Sequence, residues 1–169
     1  MRQILIVDGS LEDQAKARES LGQSYAVQIA NTAAQAVDLM KKTKFDAVIL
    51  EAGLPDGDGL NLCQQIRSDR KLEAVPVLFV SNRNETQDIV EGFRVGADDY
   101  ITKPFAREVL SARVDARMRR PNKGPSSMDL VERGDLRFLV GTQKVVRLEN
   151  GQEHDLGLTP NEFKILYHL

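Results

Sequence analysis

Along the first 120 residues, short apolar runs alternate with segments in which apolar residues recur every three or four positions. The runs Gln3–Val7, Ala26–Ala30, Ala47–Leu50, Val75–Val80 and Asp99–Thr102 predict strands. Between them, segments such as SLEDQAKARESLG and NTAAQAVDLMKKTK have helical spacing, and a last helix is predicted from about Ala106 to Met118. Strict alternation of this length implies an α/β fold: a parallel sheet with helices on both faces. Such sheets bind ligands at the carboxyl ends of their strands. Asp8 ends the first run, Glu51 the third and Ser81 the fourth, while Lys103 follows the fifth, so all four are expected at one edge.

RMRRPNKGPSSMD then breaks the pattern and reads as a linker, residues 121–129. Beyond it GDLRFLV, QKVVRL and QEHDLGL predict short antiparallel strands, with Asn150-Gly151 a two-residue hairpin signal. LTPNEFKILYHL opens a helix, with Thr159 as N-cap, Pro160 at the first helical position and Glu162 completing a capping box. Residues 130–169 thus form a second predicted domain after 1–120.

Composition narrows the function classes. The 169 residues carry 23 basic and 25 acidic side chains, a net charge of -2, so no basic signature argues for nucleic acid. The single cysteine, Cys63, excludes an intramolecular disulfide framework or multi-cysteine zinc site and reads as a core thiol. The first apolar run, Ile4 to Val7, is too short for a signal peptide or a membrane span, so the protein is expected in the cytoplasm, with no membrane partner. DGDG fails as a calcium loop, because Asp56 and Asp58 at loop positions 3 and 5 would leave Leu54 and Gln65 where acids are needed. His154 and His168 have no partners at metal-ligand spacing, and GLPDGDG lacks the lysine of a phosphate-binding loop.

ILIVD, DAVILEAGLPDGDG, VPVLFVS and GADDYITKPF, in that order and spacing, resemble the four sequence blocks of response-regulator receiver domains. The tail resembles the start of the winged-helix DNA-binding domain of OmpR/PhoB-type regulators, with LTPNEFKIL as its first helix. The resemblance implies a five-stranded parallel (βα)5 receiver, flavodoxin-like and CheY-like, followed by a winged-helix platform. It also implies phosphoryl transfer from a phosphohistidine to an aspartate, a step that needs an in-line acceptor, a divalent cation and fixed donors for spreading charge. Ser81 matches the hydroxyl donor, Lys103 the pairing cation, Gly53 the backbone carbonyl of the metal shell, and Tyr100 the aromatic that swings inward on activation. Taken alone, Tyr100 also reads as a packed aromatic and Ser81 as a cap of the following helix.

Two positions depart from the pattern. The acceptor position holds Glu51, longer than aspartate by about 1.5 Å, which moves its carboxylate into the space of the phosphoryl product. The paired acids closing the first strand are here Asp8 and Gly9, and glycine offers no metal ligand. Magnesium is therefore expected weakly, through Asp8, Glu51 and Gly53 at most, or not at all, and no other cofactor or catalytic residue is expected. With only Asp8 and Glu51 left beside Lys103, Glu51 is expected to pair with Lys103 as a built-in, imperfect copy of a phosphorylated aspartate; the alternative is a decayed site of solvated strand ends.

The resemblance also implies a homodimer through the fourth helix, fifth strand and fifth helix, with Asp98, Asp99 and Arg113 on its ion-pairing positions. Ile89 and Val109 replace charges usual there, which makes that face more apolar. Because the sequence stops before the helix that would enter the major groove, DNA binding is expected only of a longer form. A regulator of transcription working without aspartyl phosphorylation is the first expectation. The other is a receiver module acting by protein–protein interaction on a sensor kinase or another regulator.

Overall fold

The computed structural model describes residues 1–118, 130–139, 143–149 and 152–168. The chain divides into two compact units, Met1–Arg119 and Arg120–Leu169. The expected linker at 121–129 and the Asn150-Gly151 turn lie outside the described residues.

In the first unit, β1 (Arg2–Val7), β2 (Tyr25–Ala30), β3 (Ala47–Leu50), β4 (Val77–Ser81) and β5 (Asp99–Thr102) form one parallel sheet in the order β2-β1-β3-β4-β5. Five helices cross between and after them: α1 (Leu11–Leu21), α2 (Ala33–Lys42), α3 (Gly59–Ser68), α4 (Thr86–Arg94) and α5 (Arg107–Met118). The central strands are covered on both faces, which is why they read as unbroken apolar runs rather than alternating ones. Ile4, Ile6, Ala47, Ile49, Leu78 and Val80 supply one face of the core, against Ala17 and Leu21 of α1 and Leu110 and Val114 of α5. Burial of each Ile, Leu or Val side chain among them contributes about 1.5–3 kcal/mol.

The helices start where the sequence places caps. Ser10 accepts from the Asp13 N–H and Thr32 from the Gln35 N–H. The fourth strand is shifted from its expected span. It starts at Val77, since Val75 N–H closes a turn onto Leu72 and Pro76 has no N–H to give a ladder. It runs on through Ser81, which pairs with Thr102. The helix-cap reading of Ser81 is corrected, because α4 begins at Thr86 with a reciprocal capping box between Glu85 and Asp88.

The second unit is an antiparallel sheet, β6 (Leu130–Arg133), β7 (Leu136–Leu139), β8 (Lys144–Glu149) and β9 (Gln152–Asp155), in the order β9-β8-β7-β6, followed by α6 (Pro160–His168). The three expected strands are present and β6 is an addition. Glu149 stands opposite Gln152, which leaves two residues between the paired strands. Phe138 and Val145 of the sheet and Phe163 of α6 make a small core, with Tyr167 stacked on Phe163. The capping box of α6 forms as expected: Thr159 donates its N–H and hydroxyl to Glu162, each at 2.8 Å, and accepts from the Glu162 N–H. Among the described residues no helix is long and apolar enough to cross a membrane.

Candidate functional site

The carboxyl edge of the sheet brings Asp8, Glu51 and Lys103 to an open cavity of about 480 Å³, with Ser81 fully buried beside Glu51. Backbone pairing sets the edge: Asp8 N–H donates to Ala30, Glu51 N–H to Val7, and Lys103 N–H to Ser81. By strand register Asp8 and Glu51 lie level with Val80 and Ile101, with Ser81 one residue and Lys103 two residues further along the same edge. Asp8, Glu51 and Ser81 are all buried, and the Lys103 side chain is only 5% exposed.

Glu51 is fully engaged. Its Oε1 accepts from the Ser81 hydroxyl and, at 3.1 Å, from the Gly53 N–H, while Oε2 lies 2.7 Å from Lys103 Nζ. The expected Glu51–Lys103 pair is present. Gly53 enters through its N–H to Glu51, at the start of a two-residue hairpin pairing with Asp58. Ser81 in turn accepts from the Arg83 N–H.

The expectation that only two acids remain beside Lys103 is corrected. Lys103 Nζ is 2.8 Å from Asp8, 2.8 Å from Asp13 and 2.7 Å from Glu51. Desolvation draws the Lys103 pKa down, but the hydrogen bonds to Asp13, Asp8 and Glu51 and the attraction of Glu51 outweigh it, so the ammonium titrates above the ordinary lysine range. Asp13 escaped the sequence reading because Ser10-Leu-Glu-Asp13 has the spacing of a capping box. In the structure the Ser10 N–H is taken by Asp8 at 2.8 Å, which leaves the Asp13 carboxylate for Lys103.

Position 9 has neither an acid nor room for one. A Cβ there would lie 2.6 Å from Pro55 Cγ and 2.8 Å from its Cδ. The Pro55 loop is anchored, since Asp56 accepts from the first N–H groups of α2, Ala33 at 2.8 Å and Ala34 at 3.0 Å. These backbone bonds hold the Asp56 carboxyl below its ordinary pKa. The donor set thus does not fit the divalent cation that the resemblance implies: the converging carboxylates point at an ammonium. Among the described residues no group of three or more His, Cys, Asp or Glu is arranged to hold a metal ion.

Tyr100 is turned inward, 4% exposed, with its hydroxyl donating to the Arg83 carbonyl at 2.8 Å and its ring beside Phe79. Burial pushes its phenol pKa up. Gly92 of α4 makes the space, as a Cβ there would meet the Tyr100 ring at 2.8 Å. Asp98, Asp99 and Arg113 all have partners within the chain. Asp98 pairs with Arg67 of α3 at 2.8 Å and accepts from the Val77 N–H, so it ties α3 to the start of β4. Asp99 pairs with Arg113 at 2.6 Å and Arg117 at 3.4 Å.

Comparison with known proteins gives the family of the chain. The response regulator receiver domain pattern matches residues 4–115. Response regulator MprA of Mycobacterium sp. (strain KMS) is 38% identical over 170 residues, covering 96% of this chain and 69% of that protein. The DNA-binding response regulator MtrA of Mycobacterium tuberculosis (strain ATCC 25618 / H37Rv) is 35% identical over 175 residues, covering 100% of this chain and 71% of that protein. Among solved structures, response regulator DrrB, a Thermotoga maritima OmpR/PhoB homolog, aligns with a TM-score of 0.64 at 31% identity, over 100% of this chain and 72% of that one. The chain belongs to the two-component response regulators of the OmpR/PhoB type.

Proposed function

We propose that this chain is an atypical response regulator whose receiver holds an active-like arrangement without aspartyl phosphorylation. In this reading it dimerises through the α4–β5–α5 face and controls a DNA-binding output in the cytoplasm. One observation carries it: the Glu51 carboxylate takes Lys103, Ser81 and the Gly53 N–H at once, filling with its own oxygens the donors that a phosphoryl group would need. Inward Tyr100 supports the same reading. The second unit serves as the first part of a winged-helix domain, with α6 as its first helix, and a sensor kinase or another regulator acts on the receiver surface. That the relative MtrA is named DNA-binding agrees with this output.

The chemical test is treatment with a small phosphodonor plus magnesium, followed by intact mass. No stable adduct at Glu51 is expected, because its carboxylate already occupies the donors and position 9 supplies no metal ligand. A stoichiometric phosphate mapped to Glu51 would falsify the reading.

A further inference from the structure

The cage around Lys103 contains more acid than the sequence blocks account for. An ammonium carries three protons, and Lys103 Nζ has three carboxylates around it, Glu51 at 2.7 Å and Asp8 and Asp13 each at 2.8 Å. It donates hydrogen bonds to Asp8 and Asp13 and pairs with Glu51, in a pocket where the lysine side chain is 5% exposed. Two carboxylates about 4 Å apart repel by roughly 4 kcal/mol at an effective dielectric of 20. A third acid adds to that repulsion, and the Lys103 ammonium offsets it.

A magnesium ion needs near-octahedral oxygen ligands at about 2.0–2.1 Å, and here the oxygens that face the centre are the ones the ammonium uses. Both oxygens of Asp8 are already engaged: Oδ2 goes to Lys103 and Oδ1 accepts from the Ser10 N–H. On the remaining side Pro55 fills the space over Gly9, in a loop pinned by Asp56 to α2.

We infer that Lys103 is the resident cation of this pocket, held in a three-carboxylate cage completed by Asp13, and that it takes the place of the divalent metal. Asp13 is a positioning residue that the receiver sequence pattern does not point to. The inference stands on the cage and is separate from dimerisation: a metal-blind protein that stays monomeric would sink the proposed function and leave this inference standing.

The probe is Mn²⁺, followed by the electron paramagnetic resonance of the free ion and by competition with Mg²⁺. Wild type is expected to leave millimolar Mn²⁺ free. Lys103→Met, which empties the cage, is expected to bind Mn²⁺ at least about tenfold more tightly, and Lys103→Met with Asp13→Asn to lose that gain. Where Lys103→Met does not fold without metal, Lys103→Met with Glu51→Gln, which strands two acids instead of three, takes its place, and the same gain over wild type is expected. Submillimolar binding by wild type, a folded lysine variant that binds no better than wild type, or a gain indifferent to Asp13 overturns the inference.

Discussion

Lys103 is the residue on which the pocket's charge balance turns, and its removal has a cost that can be bounded. Replacing one partner of a buried ion pair strands the other charge, at about 3–5 kcal/mol, so Lys103→Met is expected to lower stability by that order in urea unfolding. The pH dependence has a definite sign. The folded-state pKa of Lys103 is raised above its ordinary value of 10.5, so the stabilisation is fully present below about pH 10 and is lost as pH rises through the folded value. Wild type should lose its advantage over Lys103→Met in strongly alkaline solution and keep it at neutral pH; an advantage that grows above pH 10.5 would contradict the cage. Much of this site was legible: Asp8, Glu51, Ser81 and Lys103 were assigned to one edge by strand ends alone. Asp13 and Pro55 were not, because both depend on choices between competing partners. Ser10 N–H bonds Asp8 instead of Asp13, and the Asp56 anchor fixes a loop whose sequence says only that it turns.

At the scale of elements, packing of α4 against β5 decides where Tyr100 points. In an exposed helix, glycine to alanine gains about 1 kcal/mol from helix propensity. Gly92 is buried, and its missing Cβ is the space into which the Tyr100 ring fits. Overpacking typically costs about 1–3 kcal/mol, so the clash outweighs propensity and Gly92→Ala is expected to be net destabilising. It should also displace the Tyr100 ring, read as a change in its ring proton resonances. A variant as stable as wild type with an unshifted ring would show that Gly92 does not set the inward position. The same scale explains which elements the sequence revealed. The central strands of the parallel sheet are buried on both faces and read as apolar runs. β6 escaped because Leu-Val-Glu-Arg is half polar and follows a stretch rich in Pro, Gly and Ser, so it merges with the linker pattern. Its place becomes clear only through its pairing with β7.

For the whole molecule, the pocket can act on assembly only through the difference between its interactions in two receiver conformations. Lys103 is a poor lever for testing this, since its loss strands three carboxylates and changes stability at the same time. Glu51 is the better one: Glu51→Ala removes the contact with Ser81 and Gly53 and leaves Lys103 held by Asp8 and Asp13. If that contact biases each receiver by about 1 kcal/mol, a symmetric dimer contains it twice, and the dissociation constant should weaken by up to roughly 30-fold. Asp99→Asn tests the face itself, because Asp99 pairs with both Arg113 and Arg117 within the chain and offsets one of their two charges. If the proposed α4–β5–α5 face forms the dimer, the added positive charge on it is expected to weaken association whatever the state of the pocket. Reinstating an aspartate acceptor calls for more than Glu51→Asp with Gly9→Asp, since the new side chain at position 9 meets the Pro55 ring; Pro55→Ala has to accompany them. That triple variant is expected to be less dimeric at rest and to respond to phosphodonor. Sedimentation velocity at micromolar concentration separates the cases. Equal association by wild type, Glu51→Ala and the triple variant would mean that the pocket does not govern assembly, and would favour the decayed-site reading.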